Sequence, residues 1–195
     1  MKKYFLAARP ALGWLALAAL LAHAAGRWLS FAPPALGEAE AAALADNVLE
    51  LKRGGETAEA LRRAERLLRS FPENPSYLEQ EAELYGLMGN ARREAQAWEL
   101  FLQYATSAGP ACPALERAYD KLGESGRALD AARRCVEREP ANCDFHYFYA
   151  AGLEDAGRYD EARRHFEKVL EIAPSYAGAA ARLARLKKVR GGGTK

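Results

Sequence analysis

Apolar positions along most of this chain recur at helical spacing, and the segments that carry them come in pairs. From Asp144 to Asp155, the residues Phe145, Phe148, Tyr149 and Leu153 fall at helical spacing. Ala156-Gly157-Arg158 then predicts a turn, because glycine accepts the backbone angles that end a helix. A second helix is predicted from Tyr159 to Ile172, with Ala162, Phe166, Val169 and Leu170 turned inward, and Pro174 stops it. The small Ala162 lets two antiparallel helices approach, and Tyr159 and Phe166 are expected to fill the gaps to neighbours. One such hairpin cannot bury its apolar surface alone, so these units must stack.

The same pattern is written four times. Gly55, Gly89, Gly123 and Gly157 recur every 34 residues, and Pro72, Pro140 and Pro174 keep the frame, with Thr106 in the proline slot of the second repeat. Ala60, Ala128 and Ala162 each follow their glycine by five; in the second repeat Glu94 stands there and Ala95 comes one place late. Four repeats are framed as 41–74, 75–108, 109–142 and 143–176. Two departures stand out. The second helix of the second repeat is expected to shift or lengthen to about Thr106, and Glu116, in a small-residue slot, is expected to open the third hairpin slightly. Beyond Pro174, Ser175 to Arg190 predicts one more amphipathic helix, a cap framed as 177–190. Tyr176, Leu183, Leu186 and Val189 lie on one face, and Arg182, Arg185, Lys187 and Lys188 form a solvated side. Residues 191–195 are expected to be a flexible tail.

The fourth repeat, Cys143 through Pro174, resembles the tetratricopeptide repeat family: Ala150, Gly157, Tyr159, Ala162, Phe166 and Pro174 stand on its signature positions. The resemblance extends over about 70% of the chain. It implies an all-α, right-handed superhelical solenoid of four helix-turn-helix hairpins with a C-terminal capping helix. It also implies a non-catalytic scaffold or adaptor that holds a peptide or helix of a protein partner in the concave groove lined by the first helix of each pair. Projected onto this sequence, that groove carries Glu79, Gln80 and Glu83, then Arg117 and Lys121, then Asp144, Tyr147, Phe148 and Glu154. Tyr147 or Phe148 would anchor an apolar side chain, and the acidic groups favour a partly basic segment. Family members that clamp a chaperone's C-terminal carboxylate need Lys, Asn and Arg where this chain has Ala45, Leu49, Gln80, Pro110 and Ala114. That clamp is absent.

Charge narrows the classes further. Lys and Arg number 28 against 26 Asp and Glu, so no basic excess points to nucleic acid. No glycine-rich phosphate loop, nucleophile elbow or His-Glu-x-x-His helix is present, and the carboxylates alternate with Arg and Lys as solvated faces do. An enzyme is not indicated, nor a cofactor, nor a small-molecule substrate.

The N-terminus changes the picture of where the repeats work. Lys2, Lys3 and Arg9 precede an apolar run from Ala11 to Ala25, the layout of an export signal or a membrane anchor. Ala22-His23-Ala24 offers a signal-peptidase site. Against cleavage, Trp28, Leu29 and Phe31 resume the apolar character after Arg27, so residues 1–32 can also serve as a single transmembrane anchor. Pro33-Pro34 opens a linker framed as 33–40. Either reading sends the repeats outside the cytoplasm: a bacterial inner-membrane protein with a periplasmic domain, or a soluble periplasmic one. The layout resembles ancillary subunits of the Sec translocon, periplasmic subunits of cytochrome c maturation systems, and assembly proteins of pili and secretion machines. A permanent structural subunit docked through its N-terminal helix is the alternative function.

Cysteines usually pair outside the cytoplasm. Cys112 and Cys135 are equidistant from the turn near Gly123-Glu124, which predicts equal height on antiparallel helices. A Cys135–Cys143 bridge and no bridge are the alternatives. Cys143 and His146 have ligand-like spacing, but zinc needs four converging groups, and His146 reads as a packing residue. No metal site is expected, and His165 is expected on an exposed face.

Overall fold

The computed structural model describes residues 35–191. Among them are nine helices and no strand: α1 Glu38–Arg53, α2 Thr57–Ser70, α3 Pro75–Leu87, α4 Ala91–Tyr104, α5 Ala111–Leu122, α6 Ser125–Arg138, α7 Cys143–Asp155, α8 Tyr159–Ile172 and α9 Ala177–Gly191. Consecutive helices pack on one another, so α1/α2, α3/α4, α5/α6 and α7/α8 form the four hairpins and α9 covers the last. The leader reading for residues 1–32 lies outside the described residues. Helix α1 begins at Glu38, inside the segment framed as linker, and Leu36 is already buried, its N–H donating to Ser70 Oγ at 3.1 Å.

The four periodic glycines all have positive φ, between 69° and 79°. A Cβ on any of them would meet nothing within 4 Å, so the left-handed backbone, not crowding, requires glycine. Each is followed by a residue whose N–H reaches five residues back: Glu56 to Leu51 O, Asn90 to Tyr85 O, Glu124 to Tyr119 O and Arg158 to Leu153 O. This is the six-to-one bond that ends a helix with a left-handed residue.

The hairpins enter by an equally local rule, and its one exception shapes the molecule. Asn74 and Asn142 cap α3 and α7, each side-chain oxygen accepting two backbone N–H groups of the first turn. The corresponding residue before α5 is Ala108, which has nothing to offer, and α5 starts two residues late, at Ala111, with no side-chain cap. The expected lengthening of the preceding helix does not occur. Helix α4 ends at Tyr104 like its counterparts, and the slack appears as a loop over residues 105–110. Glu139 pins that loop by accepting from Ala108 N at 2.7 Å and Ser107 Oγ at 2.9 Å. Those bonds, the one to the Ala108 backbone first, hold its carboxyl below the usual glutamate range. A disulfide joins Cys112, in the first turn of α5, to Cys135 of α6, with Cα atoms 6.2 Å apart; Cys143 is a free thiol.

The buried core residues form three clusters. Leu67 and Leu84 serve the first hairpins, Leu115 and Tyr119 the middle, Leu153, Phe166 and Val169 the last. Tyr159 is not a filler: it is 50% exposed. Nor is His165 on an exposed face. It is half-buried, stacked on the buried His146, with their Nδ1 atoms 2.9 Å apart. His146 Nε2 lies 3.0 Å from Pro140 O, which can only accept; that nitrogen carries the proton, and His165 Nδ1–H therefore donates to His146. Burial, then the neighbouring imidazole, pushes His165 below the ordinary histidine pKa.

Candidate functional site

Helices α1, α3, α5 and α7, with α9 as the fifth in the series, line one face of the stack. Between each adjacent pair lies a cleft floored by the intervening helix. Because the repeat is 34 residues long, the clefts are built from corresponding residues, and their contents can be compared directly.

The outer two are bridged by ion pairs. In the first, Lys52 of α1 pairs with Glu83 of α3. In the last, Glu154 of α7 is only 8% exposed and is held by Arg182 at 2.9 Å and by Arg185, both from α9. The pairs Lys52–Glu83 and Glu154–Arg185 occupy corresponding positions with the signs exchanged.

The inner two clefts are open. One, of about 370 Å³, lies between α3 and α5 and is lined by Gly86, Leu87, Ala114, Arg117 and Lys121, with Glu94 and Trp98 of α4 as its floor. The other, of about 240 Å³, lies between α5 and α7, where Glu116, Asp120, Phe148 and Asp155 surround a floor of Ala128, Leu129 and Ala132 from α6. Trp98 corresponds to Ala132, and Ala114 to Phe148, so the bulky ring moves from floor to wall between the two clefts. A larger hollow of about 620 Å³ lies between α4 and α6 on the opposite face. Its polar groups are spent internally: Arg134 forks onto both oxygens of Glu99 at 2.7 Å, and Arg138 donates to Ala105 O at 3.0 Å.

The α5–α7 cleft is acidic. Glu116, Asp120 and Asp155 make no side-chain hydrogen bond or ion pair with any described residue. Burial, then the charge of Asp120, raises the Glu116 pKa, with Asp155 adding to the effect. Glu116 occupies the slot that Ala82 and Ala150 fill with fully buried methyls, and it forms a wall of this cleft.

The α3–α5 cleft holds an unusual charge. Glu94 is 5% exposed, its Oε2 has no hydrogen bond, and Lys121 Nζ stands 3.8 Å away. Its carboxylate lies over Gly86, where a Cβ would come within 3.0 Å of Oε1, so the glycine makes room for the misplaced glutamate. A buried, loosely paired charge costs more in desolvation than it returns. Glu94→Ala, which restores the residue of the other three repeats, is expected to raise the unfolding free energy by about 1 kcal/mol. Chemical denaturation measures it; a loss of that size instead would mean the carboxylate has a partner in solution.

The residues expected to share one groove are thus divided. Glu83 pairs with Lys52 and both line the α3–α5 cleft; burial, then Glu83, raises the Glu79 pKa, and Gln80 Oε1 is buried without a partner. Arg117 and Lys121 line the α3–α5 cleft and Phe148 the α5–α7 cleft. The remaining three contact α9 or Tyr176 just before it, and Arg182 and the exposed Arg185 both reach Glu154. Asp144 accepts from Tyr176 Oη at 3.0 Å. Tyr147 packs against Gly178, Tyr176 and Phe166 with Arg182 over its ring, and Glu154 anchors α9. Glu94, Trp98, Glu116, Asp120 and Asp155 were missed. The signal was present as a break in each repeat's own rule: glutamate at two alanine slots, and half of a recurring charge pair.

Residues 143–176 match the family model for the tetratricopeptide repeat. These residues are a tetratricopeptide repeat. The whole stack superposes on solved members of that fold. A crystal structure of MamA protein is 20% identical with a TM-score of 0.65, covering 77% of this chain and 82% of that one. MamA from Desulfovibrio magneticus RS-1 is 17% identical with a TM-score of 0.64, covering 80% and 88%. YrrB, described as a tetratricopeptide repeat protein with an unusual peptide-binding site, is 19% identical with a TM-score of 0.61, covering 75% and 76%. At these identities the likeness concerns the fold. No curated protein matches the chain in sequence.

Proposed function

We propose that this chain is a protein–protein interaction scaffold that takes an extended segment of a partner across α5, in the clefts on either side of that helix. The observation that carries this reading is the contrast among corresponding positions: ion pairs bridge α1 to α3 and α7 to α9, whereas the clefts that flank α5 are open and hold polar groups left without ion pairs. Phe148 and Leu129 offer the apolar contact, and Leu87 and Met88, 61% and 52% exposed, extend it at the rim of the other cleft. The peptide-binding description of YrrB supports the assignment. No residue group in the clefts supports catalysis, and the role is read as holding, not reacting.

We place the scaffold outside the cytoplasm, on a bacterial inner membrane, with residues 1–32 as anchor or cleaved signal. The positive flank before the apolar run supports this, as does a disulfide, which persists in oxidising compartments. Among the described residues no helix is long and apolar enough to cross a membrane.

In-cell photocrosslinking from position 87 tests the reading, with Arg133 on the opposite face as control. One dominant adduct from position 87 and none from 133 is expected. Adducts from 133 alone, or from neither, would sink it.

A further inference from the structure

The charge pair that closes each end of the face is split in the middle, and this says what the partner brings. Four pairs of positions correspond in the 34-residue frame: Lys52 with Glu83, Gly86 with Arg117, Asp120 with Ala151, and Glu154 with Arg185. The first and last are complete ion pairs. In the second the frame position holds Gly86, and the carboxylate lying over it is that of Glu94, which stands 3.8 Å from Lys121 and leaves Arg117 without an ion pair. In the third the cation is missing, because Ala151 stands there. Arg117 and Asp120 are both exposed, both belong to α5, and neither makes a side-chain hydrogen bond or ion pair with a described residue.

The surroundings of each half-pair agree with its sign. Beside Arg117, Trp98 is 3% exposed and its Nε1–H has no acceptor. Lys52, Arg117 and Lys121 outnumber Glu83 and Glu94 among the lining residues, and Lys52 is already spent on Glu83. With Lys52 on Glu83 and Lys121 beside Glu94, Arg117 is the cation left without a carboxylate. Beside Asp120, the lining residues include Glu116 and Asp155 and no cation. What that cleft lacks is a positive charge on an apolar stem, which Leu129 and Phe148 can flank.

We infer that the bound segment is bipolar: a carboxylate side chain enters the α3–α5 cleft to complete Arg117, and a lysine or arginine enters the α5–α7 cleft to complete Asp120. The inference rests on the scaffold reading and adds the chemistry and polarity of the partner. The two clefts are separated by the width of one helix, about 10 Å. An extended chain covers this in about three residues, so the acid and the base lie two to four residues apart, with the acid toward the second repeat. The unlike charges on α5 also set direction, since a segment lying the other way brings like charges together.

The test is a random peptide display selection on the immobilised full-length chain, followed by binding of the selected peptides, and of versions with acid and base exchanged, by fluorescence anisotropy. Selected peptides are expected to carry an Asp or Glu and a Lys or Arg at that spacing, and to lose affinity about tenfold or more on charge exchange. The double variant Arg117→Asp/Asp120→Arg, both exposed positions, is expected to prefer the exchanged peptides by a similar factor. Peptides that enrich without the charge pair, or that bind wild type and variant alike, overturn the bipolar assignment and leave the scaffold standing. If circular dichroism shows a folded protein and no peptide enriches, the clefts are not the binding surface and both readings fall.

Discussion

Removing the Cys112–Cys135 bridge is expected to lower the unfolding free energy by about 3 kcal/mol. In the chain-entropy picture the bridge restricts the unfolded chain by closing a loop whose ends are 23 residues apart. The native side of the argument is local. Helix α5 begins two residues late without a side-chain cap, and Cys112 lies in its first turn, so the bridge fastens the least supported helix start to α6. That helix also presents Arg117 and Asp120. Cys112 and Cys135 are 6% and 1% exposed, so a reductant reaches the bridge only when the third repeat opens. Denaturant titrations of wild type and of Cys112→Ala/Cys135→Ala measure the difference, with Cys143→Ala as the control that leaves the bridge intact. Three free thiols in the unreduced, denatured protein would remove the premise.

Phe166→Ala is expected to cost about 3–5 kcal/mol. The ring is fully buried among Tyr149, Leu153, Val169, Leu183 and Leu186, with the Tyr147 ring centroid 5.7 Å away. It is the residue on which α7, α8 and α9 meet, and truncation leaves a cavity that stiff helices fill poorly. In a stack where each hairpin touches only its neighbours, the loss is felt locally. Amide exchange should therefore accelerate in α8 and α9 well before α1 and α2. Tyr159→Ala, at a half-exposed ring in the same helix, should change stability by less than about 0.5 kcal/mol. Equal effects of the two substitutions would contradict the packing described.

Glu94, Arg117 and Glu154 show how differently legible these sites are. Glu94 was visible as a broken rule, yet only its position over Gly86 shows where the carboxylate goes. Arg117 was projected onto the working face from the repeat frame alone, and it lines an open cleft there. Glu154 was projected by the same reasoning and proved to be the anchor of α9, because a face exposed in the middle of a solenoid is covered at its end.

What the sequence determined by itself was everything set within one hairpin: helix pairs from apolar spacing, turns from glycines at positive φ, caps from asparagines, and the 34-residue frame. These follow from interactions within one helix or across one turn, so they are written in consecutive residues. The tertiary structure alone decided which charges were spent and which were left over. An ion pair between Lys52 and Glu83 or between Glu154 and Arg185 joins residues about 30 apart in sequence on helices separated by another helix. Whether such a pair closes a cleft depends on the spacing and rotation of those helices, and that is settled only when every repeat packs against the next.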